Sequence, residues 1–201
     1  MVPWIGLTGG IGAGKSTALG ALKRLGAATL STDAVVHELY ETDEVRDAVA
    51  ERFGAAVIQD GTVNRSALAR AAFATSADRH WLEQLLWPRV GERVVAFRRE
   101  ADAAEPPPRA AVVEIPLLFE SGSDHGFDAT IAVIADEAIR EQRAARRGHE
   151  ALSERAARQL SQQEKSQLAT YTVSNDGTER ELEQQLSGIL DMLSSEPGIT
   201  A

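Results

Sequence analysis

Short apolar runs alternate with stretches of helical periodicity along this chain. Trp4-Ile5-Gly6-Leu7-Thr8 reads as a buried strand, and after a glycine-rich bend Ala18, Leu19, Leu22 and Leu25 share one helical face until Gly26 stops it. A second β-type run covers 27–31 and ends at Thr32-Asp33. Helical periodicity follows over 34–41 and 43–53, then Gly54 and a turn at Gln59-Asp60-Gly61. Asn64 can cap a helix carrying Leu68, Ala72 and Phe73. Another helical pattern runs from Asp78 to Trp87-Pro88, and a charged one over 89–104 is closed by Glu105-Pro106-Pro107-Pro108. Strands are expected at 110–115, ended by Pro116, at 129–134, and at 170–173. An arginine-rich helix starts at Asp136. The turn Ser174-Asn175-Asp176-Gly177 leads to a closing helix with Leu182, Leu186, Ile189, Leu190 and Leu193, and 194–201 reads as a frayed tail.

Five β-type runs alternating with helices predict an α/β fold with a parallel sheet covered on both faces. The 201 residues, 43% hydrophobic and 25% charged, suffice for one well-buried core with a small appended subdomain. A formal net charge of −9 argues against a non-specific nucleic-acid binder. With no cysteine, neither a disulfide framework nor a thiolate metal site is available. No leader pattern or membrane-length apolar run is read, so the expected location is the cytoplasm, with no membrane partner.

In such a sheet, ligands bind beyond the carboxyl ends of the strands. After the first run, Gly9-Gly10-Ile11-Gly12-Ala13-Gly14-Lys15-Ser16-Thr17 satisfies GxxxxGK[ST] between a strand and a helix, the context of a phosphate-binding loop. Its glycines let successive N–H groups point at phosphate oxygens, Lys15 can reach the β- and γ-phosphates, and Ser16 offers a hydroxyl to Mg²⁺. The positive end of the following helix favours the same anion. A three-layer P-loop NTPase fold is therefore expected.

Other candidates follow the strand ends. Asp33 could orient an attacking hydroxyl and accept its proton, or could cap the helix starting at Ala34. Glu114 ends a continuously apolar strand, expected to be central, where an unpartnered carboxylate is costly, which favours a place near a metal over an edge charge. Glu120, after Pro116-Leu117-Leu118-Phe119, is more ambiguous and reads as a further acid or only as a loop or helix-start charge. Arg140, Arg143, Arg146 and Arg147 lie on one helix, with 143 and 147 on a common face, where they could clamp a phosphoryl group or simply be solvated. His37, His80, His125 and His149 show no metal-ligand spacing. Trp81 and Trp87 are read as core or substrate-groove aromatics.

These residues resemble the dephospho-coenzyme A kinase family. The resemblance is carried by Ile5 through Thr17, by Asp33, by Phe53-Gly54 with Asp60-Gly61-Thr62-Val63-Asn64-Arg65, and by Leu82 through Pro88. It continues with Glu114-Ile115-Pro116-Leu117-Leu118-Phe119-Glu120, Arg143, Arg147 and Asn175. It implies transfer of the ATP γ-phosphoryl group to the ribose 3′-hydroxyl of dephospho-coenzyme A, with Mg²⁺ as cofactor. By that matching Asp33 is the base, and Gly9, Gly10, Gly12, Ala13, Gly14, Lys15, Ser16 and Thr17 hold the phosphates. Ser16 and Glu114 serve the metal, Arg143 and Arg147 belong to a lid in roughly 140–165, and Asn175 lies close to the adenine. Helices between about 60 and 104 would form an acceptor-binding subdomain of a single monomeric domain.

The chain departs from the family pattern in four places. Ser31 stands where a second Asp is common, Trp87-Pro88 where His-Pro is usual, and Ala169-Thr170 where Ala-Asp is usual. An Arg-x-x-x-Gln element of the lid can be Arg155 with Gln159 or Arg158 with Gln162. A nucleoside monophosphate kinase would share the loop and lid but differ in its acceptor pocket. A GTPase-type switch lacks its Asp-x-x-Gly and Asn-Lys-x-Asp elements here.

Overall fold

The computed structural model describes residues 1–145 and 159–195. Its strands are β1 (Trp4–Gly9), β2 (Ala28–Ser31), β3 (Ile58–Gln59), β4 (Thr62–Val63), β5 (Ala111–Glu114), β6 (Ala129–Ile134) and β7 (Tyr171–Ser174). Five of them form one sheet in the order β2-β5-β1-β6-β7, and every pairing in it is parallel. Central β1 sets Ile5 opposite Val112 on one side and Ala129 on the other. All six of its residues are buried, as a strand covered on both faces requires.

The residues fall into two compact units, Met1–Ser31 with Phe97–Ala201, and Thr32–Ala96. In the first, side chains alternate across the sheet with period two. Ile5 and Leu7 pack with Ala18, Ala21 and Leu22 of α1 (Lys15–Arg24), and the same core takes up Leu182, Leu186, Ile189, Leu190 and Leu193 of the closing helix (Glu179–Ser195). On the opposite face Trp4 lies 5.9 Å from Phe97 and 5.3 Å from Phe127, ring centre to ring centre. A side chain on Gly6 would press on Leu118 at 3.0 Å, so the missing side chain there admits the second layer. The three-layer α/β architecture expected from the periodicity is the one found.

The second unit contains α2 (Thr32–Leu39), α3 (Asp43–Phe53), the β3–β4 hairpin, α4 (Arg65–Ala72) and most of α5 (Ser76–Ala103). Val45, Val49, Val57, Leu68, Ala72, Leu82 and Leu86 form its core. Thr42 caps α3 by accepting from Val45 N–H, and Asn64 caps α4 from Ala67 N–H at 3.0 Å. The helical subdomain expected at about 60–104 overlaps this unit, which begins earlier, at Thr32.

Three expectations are corrected. The two helices predicted on either side of Pro88 are one helix, α5. The proline ring removes a donor and crowds the preceding turn, but Arg89 Nη1 donates to Leu85 O at 2.5 Å within that turn, and buried Leu82 and Leu86 hold the helix from the core side. Between α6 (Glu137–Ala145) and β7 lies a helix not anticipated, α7 (Gln162–Leu168), and the closing helix is therefore α8. Finally, Ser194 and Ser195 belong to α8, and only 196–201 of the predicted tail lies outside the described residues. No helix among the described residues is long and apolar enough to cross a membrane.

Candidate active site

The bend between β1 and α1 is built by its glycines. Gly12 (φ 77°) and Gly14 (φ 94°) adopt left-handed conformations that side chains rarely allow. A Cβ on Gly12 would collide with the Arg140 carbonyl, and one on Gly14 with the Asn175 side-chain amide. Ala13 N–H closes the turn on Gly10 O at 3.2 Å, and Ala18 N–H takes up Gly14 O at 3.0 Å. Gly14 caps α1 with no side-chain acceptor, α1 has no acidic residue in its first turn, and Lys23 and Arg24 sit in its last. Helix and loop thus present a positive end on which no carboxylate of α1's own first turn competes with an anion.

Lys15, the first residue of α1, donates from Nζ to Gly9 O (3.0 Å) and Gly10 O (3.3 Å), which holds the ammonium over the loop. Ser16 is exposed beside it and Thr17 half-buried. Asn175, at the end of β7, is buried, and its Nδ2 donates to Ala13 O at 2.9 Å. The structure thus gives its side chain a task the sequence did not suggest, supporting the loop from behind.

Two arginines of α6 reach the same loop. Arg143 Nη2 donates to Asn175 O at 3.1 Å, while its Nη1 is buried without a hydrogen-bond partner among the described residues. A buried guanidinium N–H costs free energy unless something accepts from it, so this donor fits a site that receives an anion. Arg140, which spacing alone did not favour, donates from Nε to Ile11 O at 2.9 Å and from Nη1 to Glu137 at 2.6 Å. Arg146, Arg147 and His149 lie outside the described residues, as do Arg155 and Arg158. Both lid glutamines line a cavity of about 340 Å³ together with Gly10, Ile11 and Arg140, and Gln162 commits its amide to both backbone groups of Ala135, at 2.8 Å each.

Glu114 is buried at the end of β5, in register with Ser31 of β2, whose hydroxyl donates to it at 2.6 Å. A neutral hydroxyl here avoids setting two carboxylates side by side. Among the described residues no three acidic or histidine side chains cluster, and the two candidates, the Ser16 hydroxyl and the Glu114 carboxylate, are both oxygen donors. That donor chemistry suits Mg²⁺.

Asp33 lies within the first turn of α2, not at the cap of a helix starting at Ala34, and it is half-buried two residues beyond Ser31. A first-turn carboxylate is favoured by the positive helix end. His37, on the same face of α2 by i,i+4 spacing, contacts Arg65 of α4. Trp81 packs edge-on against Phe53 in the core, whereas Trp87 is 60% exposed and is no core residue.

Glu120 lies in the turn of residues 116–120, as a loop charge would, but it is not a solvated one. It pairs with Lys165 of α7 at 2.8 Å, and Lys165 is completely buried. The signal for α7 was Ser161-x-x-Glu164, a capping box in which each side chain bonds the other's backbone N–H.

A family model described as dephospho-CoA kinase matches residues 3–181. The chain is 39% identical over 192 residues to the dephospho-CoA kinase of Deinococcus radiodurans, covering 94% of this chain and 91% of that one. It is 36% identical over 187 residues to that of Protochlamydia amoebophila, covering 90% and 92%. A crystal structure from Thermus thermophilus superposes with a TM-score of 0.78 at 32% identity, covering 96% of this chain and 99% of that one. With a phosphate loop of this geometry and a match spanning nearly its whole length, the chain belongs to the dephospho-CoA kinase family.

Proposed function

We propose that this protein transfers the γ-phosphoryl group of ATP to the ribose 3′-hydroxyl of dephospho-coenzyme A, giving coenzyme A and ADP, the last step of coenzyme A biosynthesis. The observation that carries the reading is Lys15 held over a glycine-built loop at the acid-free start of α1, in a chain that matches this family from residue 3 to 181. Loop amides of residues 9–14 and the Lys15 ammonium bind the phosphates. Asp33 takes the acceptor proton as the hydroxyl oxygen attacks phosphorus and the β,γ-bridging bond breaks, releasing ADP. Arg143, with Arg147, neutralises charge on the transferring group. Mg²⁺, held by Ser16 and the phosphates with Glu114 directly or through water, would offset negative charge on the β- and γ-oxygens. The Asn175 turn lies by the adenine, the segment around 140–165 serves as the lid, and helices between about 60 and 104 receive the acceptor.

The working location is the cytoplasm and the working form a monomer, with neither membrane nor nucleic acid as partner; the net charge of −9 supports the last point. The test is turnover with ATP, Mg²⁺ and dephospho-coenzyme A, with the product's phosphate position determined, beside parallel reactions offering nucleoside monophosphates. Phosphorylation at the 3′-position is expected. Phosphorylation of a nucleoside monophosphate in its place would overturn the reading.

A further inference from the structure

The most deeply buried charged group described, at the end of the segment read as the lid, has been given no role of its own above. Lys165 is 0% exposed, and its Nζ meets Glu120 Oε1 (2.8 Å), Pro116 O (3.0 Å) and Thr8 Oγ1 (3.2 Å). Three segments meet at this ammonium: β1, the turn of residues 116–120, and α7. Thr8 is the β1 residue directly before the phosphate loop, and its own hydroxyl donates to Pro116 O at 3.3 Å. Glu120 Oε1 also accepts from Leu160 N–H at 2.8 Å, and Gln159 Nε2 reaches Pro116 O at 3.4 Å. Gln159 and Leu160 line the 340 Å³ cavity whose other side is Gly10, Ile11 and Arg140.

A buried ion pair is weak evidence for stability, because desolvating both charges offsets most of their attraction. Here the carboxylate is not even fully used: Glu120 Oε2 is buried without a hydrogen-bond partner among the described residues. What the pair does achieve is geometric. It ties the cavity wall at Gln159 and Leu160 to the strand end from which the phosphate loop springs.

We propose that Glu120 and Lys165 are a positioning pair that sets the Gln159–Leu160 wall against the phosphate loop, so that nucleotide is gripped between them. The inference rests on the proposed nucleotide site. The pair acts on phosphoryl transfer through the groups it holds, without touching substrate. Its two members must therefore be coupled: Lys165→Met leaves a bare buried carboxylate behind the wall, and Glu120→Gln leaves an ammonium whose principal partner is neutral.

The experiment compares wild type with Glu120→Gln, Lys165→Met and the double variant. ADP affinity is read by calorimetry without acceptor, KM for ATP and kcat by coupled assay, and thermal unfolding alongside, all well below every melting temperature. Each single variant is expected to weaken ADP binding by about tenfold, and the double to lose much less than the product of the two, the mark of directly interacting residues. Glu120→Gln is nearly isosteric and keeps the test alive if Lys165→Met fails to fold. A Glu120→Gln protein with lowered melting temperature but unchanged ADP affinity and kcat would overturn the proposal, since a purely structural pair behaves so. Losses that multiply in the double variant would overturn it as well. Wild-type protein that binds ADP but leaves dephospho-coenzyme A unphosphorylated would instead sink the acceptor assignment alone. Absence of ADP binding in wild type would remove both.

Discussion

The side-chain amide of Asn175 and the backbone of Gly14 occupy adjoining space so tightly that a single methyl group on Gly14 would strike the Asn175 nitrogen. The two are far apart in sequence, yet together they fix the start of α1, because the same amide donates to Ala13 O. Gly14→Ala meets this contact and a left-handed backbone at once. Such a change is expected to cost at least about 1 kcal/mol and to abolish measurable ADP binding by calorimetry. Asn175→Ala removes the donor from a buried carbonyl and should cost about 1–3 kcal/mol in denaturant unfolding.

Asp33 in the first turn of α2 is the proposed base. Asp33→Asn keeps size and removes the proton acceptor, so ADP affinity should match wild type while kcat falls by about 10²–10⁴-fold. Stopped-time assays of coenzyme A formation would check this. Unchanged turnover would remove Asp33 from the mechanism.

Arg143 offers one nitrogen to Asn175 O and keeps another buried beside the loop. Arg143→Ala is expected to lower kcat by on the order of a hundredfold. Arg143→Lys should rescue little of it, because an ammonium cannot span both directions as the planar guanidinium does. Steady-state kinetics of the two variants side by side would decide.

Asp176 follows Asn175 and accepts from Ser174 Oγ and from Asp136 N–H. These bonds, first that from Ser174 and then that from Asp136, hold its carboxyl below the usual carboxylate range. A depressed value in the folded state means the contribution is complete above about pH 4, the unfolded value, and is lost as pH falls through the folded one. Asp176→Asn should therefore destabilise the protein slightly at pH 7, by less than about 1 kcal/mol at this exposed position, and should flatten the fall in stability below pH 4. Urea unfolding across pH 3–7 would measure both.

Much of the architecture could be read from periodicity, since α3 was placed at 43–53 and β6 at 129–134, where they are found. Those elements have unambiguous punctuation: Thr42 and Gly54 bracket one, and a run of β-branched and small apolar residues makes the other. The continuous α5 escaped because proline is a strong local stop, overridden here by packing on both sides of it. The phosphate loop was legible because its chemistry is written in consecutive residues. Lys165, Arg140 and the supporting role of Asn175 were not, because each acts on a partner distant in sequence, and spacing along one helix says nothing about which strand end it faces. Glu120 stayed ambiguous for the same reason, its counter-ion lying on a helix with no expected place.

The strand order has a bearing on how the molecule comes into being. Both neighbours of β1 are supplied late, by residues 111–114 and 129–134. A ribosome therefore releases the fully buried, loop-bearing strand first and cannot offer it a hydrogen-bonding partner until the chain has run on to residue 111. Meanwhile the Thr32–Ala96 unit, whose core draws only on its own residues, can consolidate. The half that carries the glycine-built loop is thus the part whose nascent form most needs shielding from aggregation.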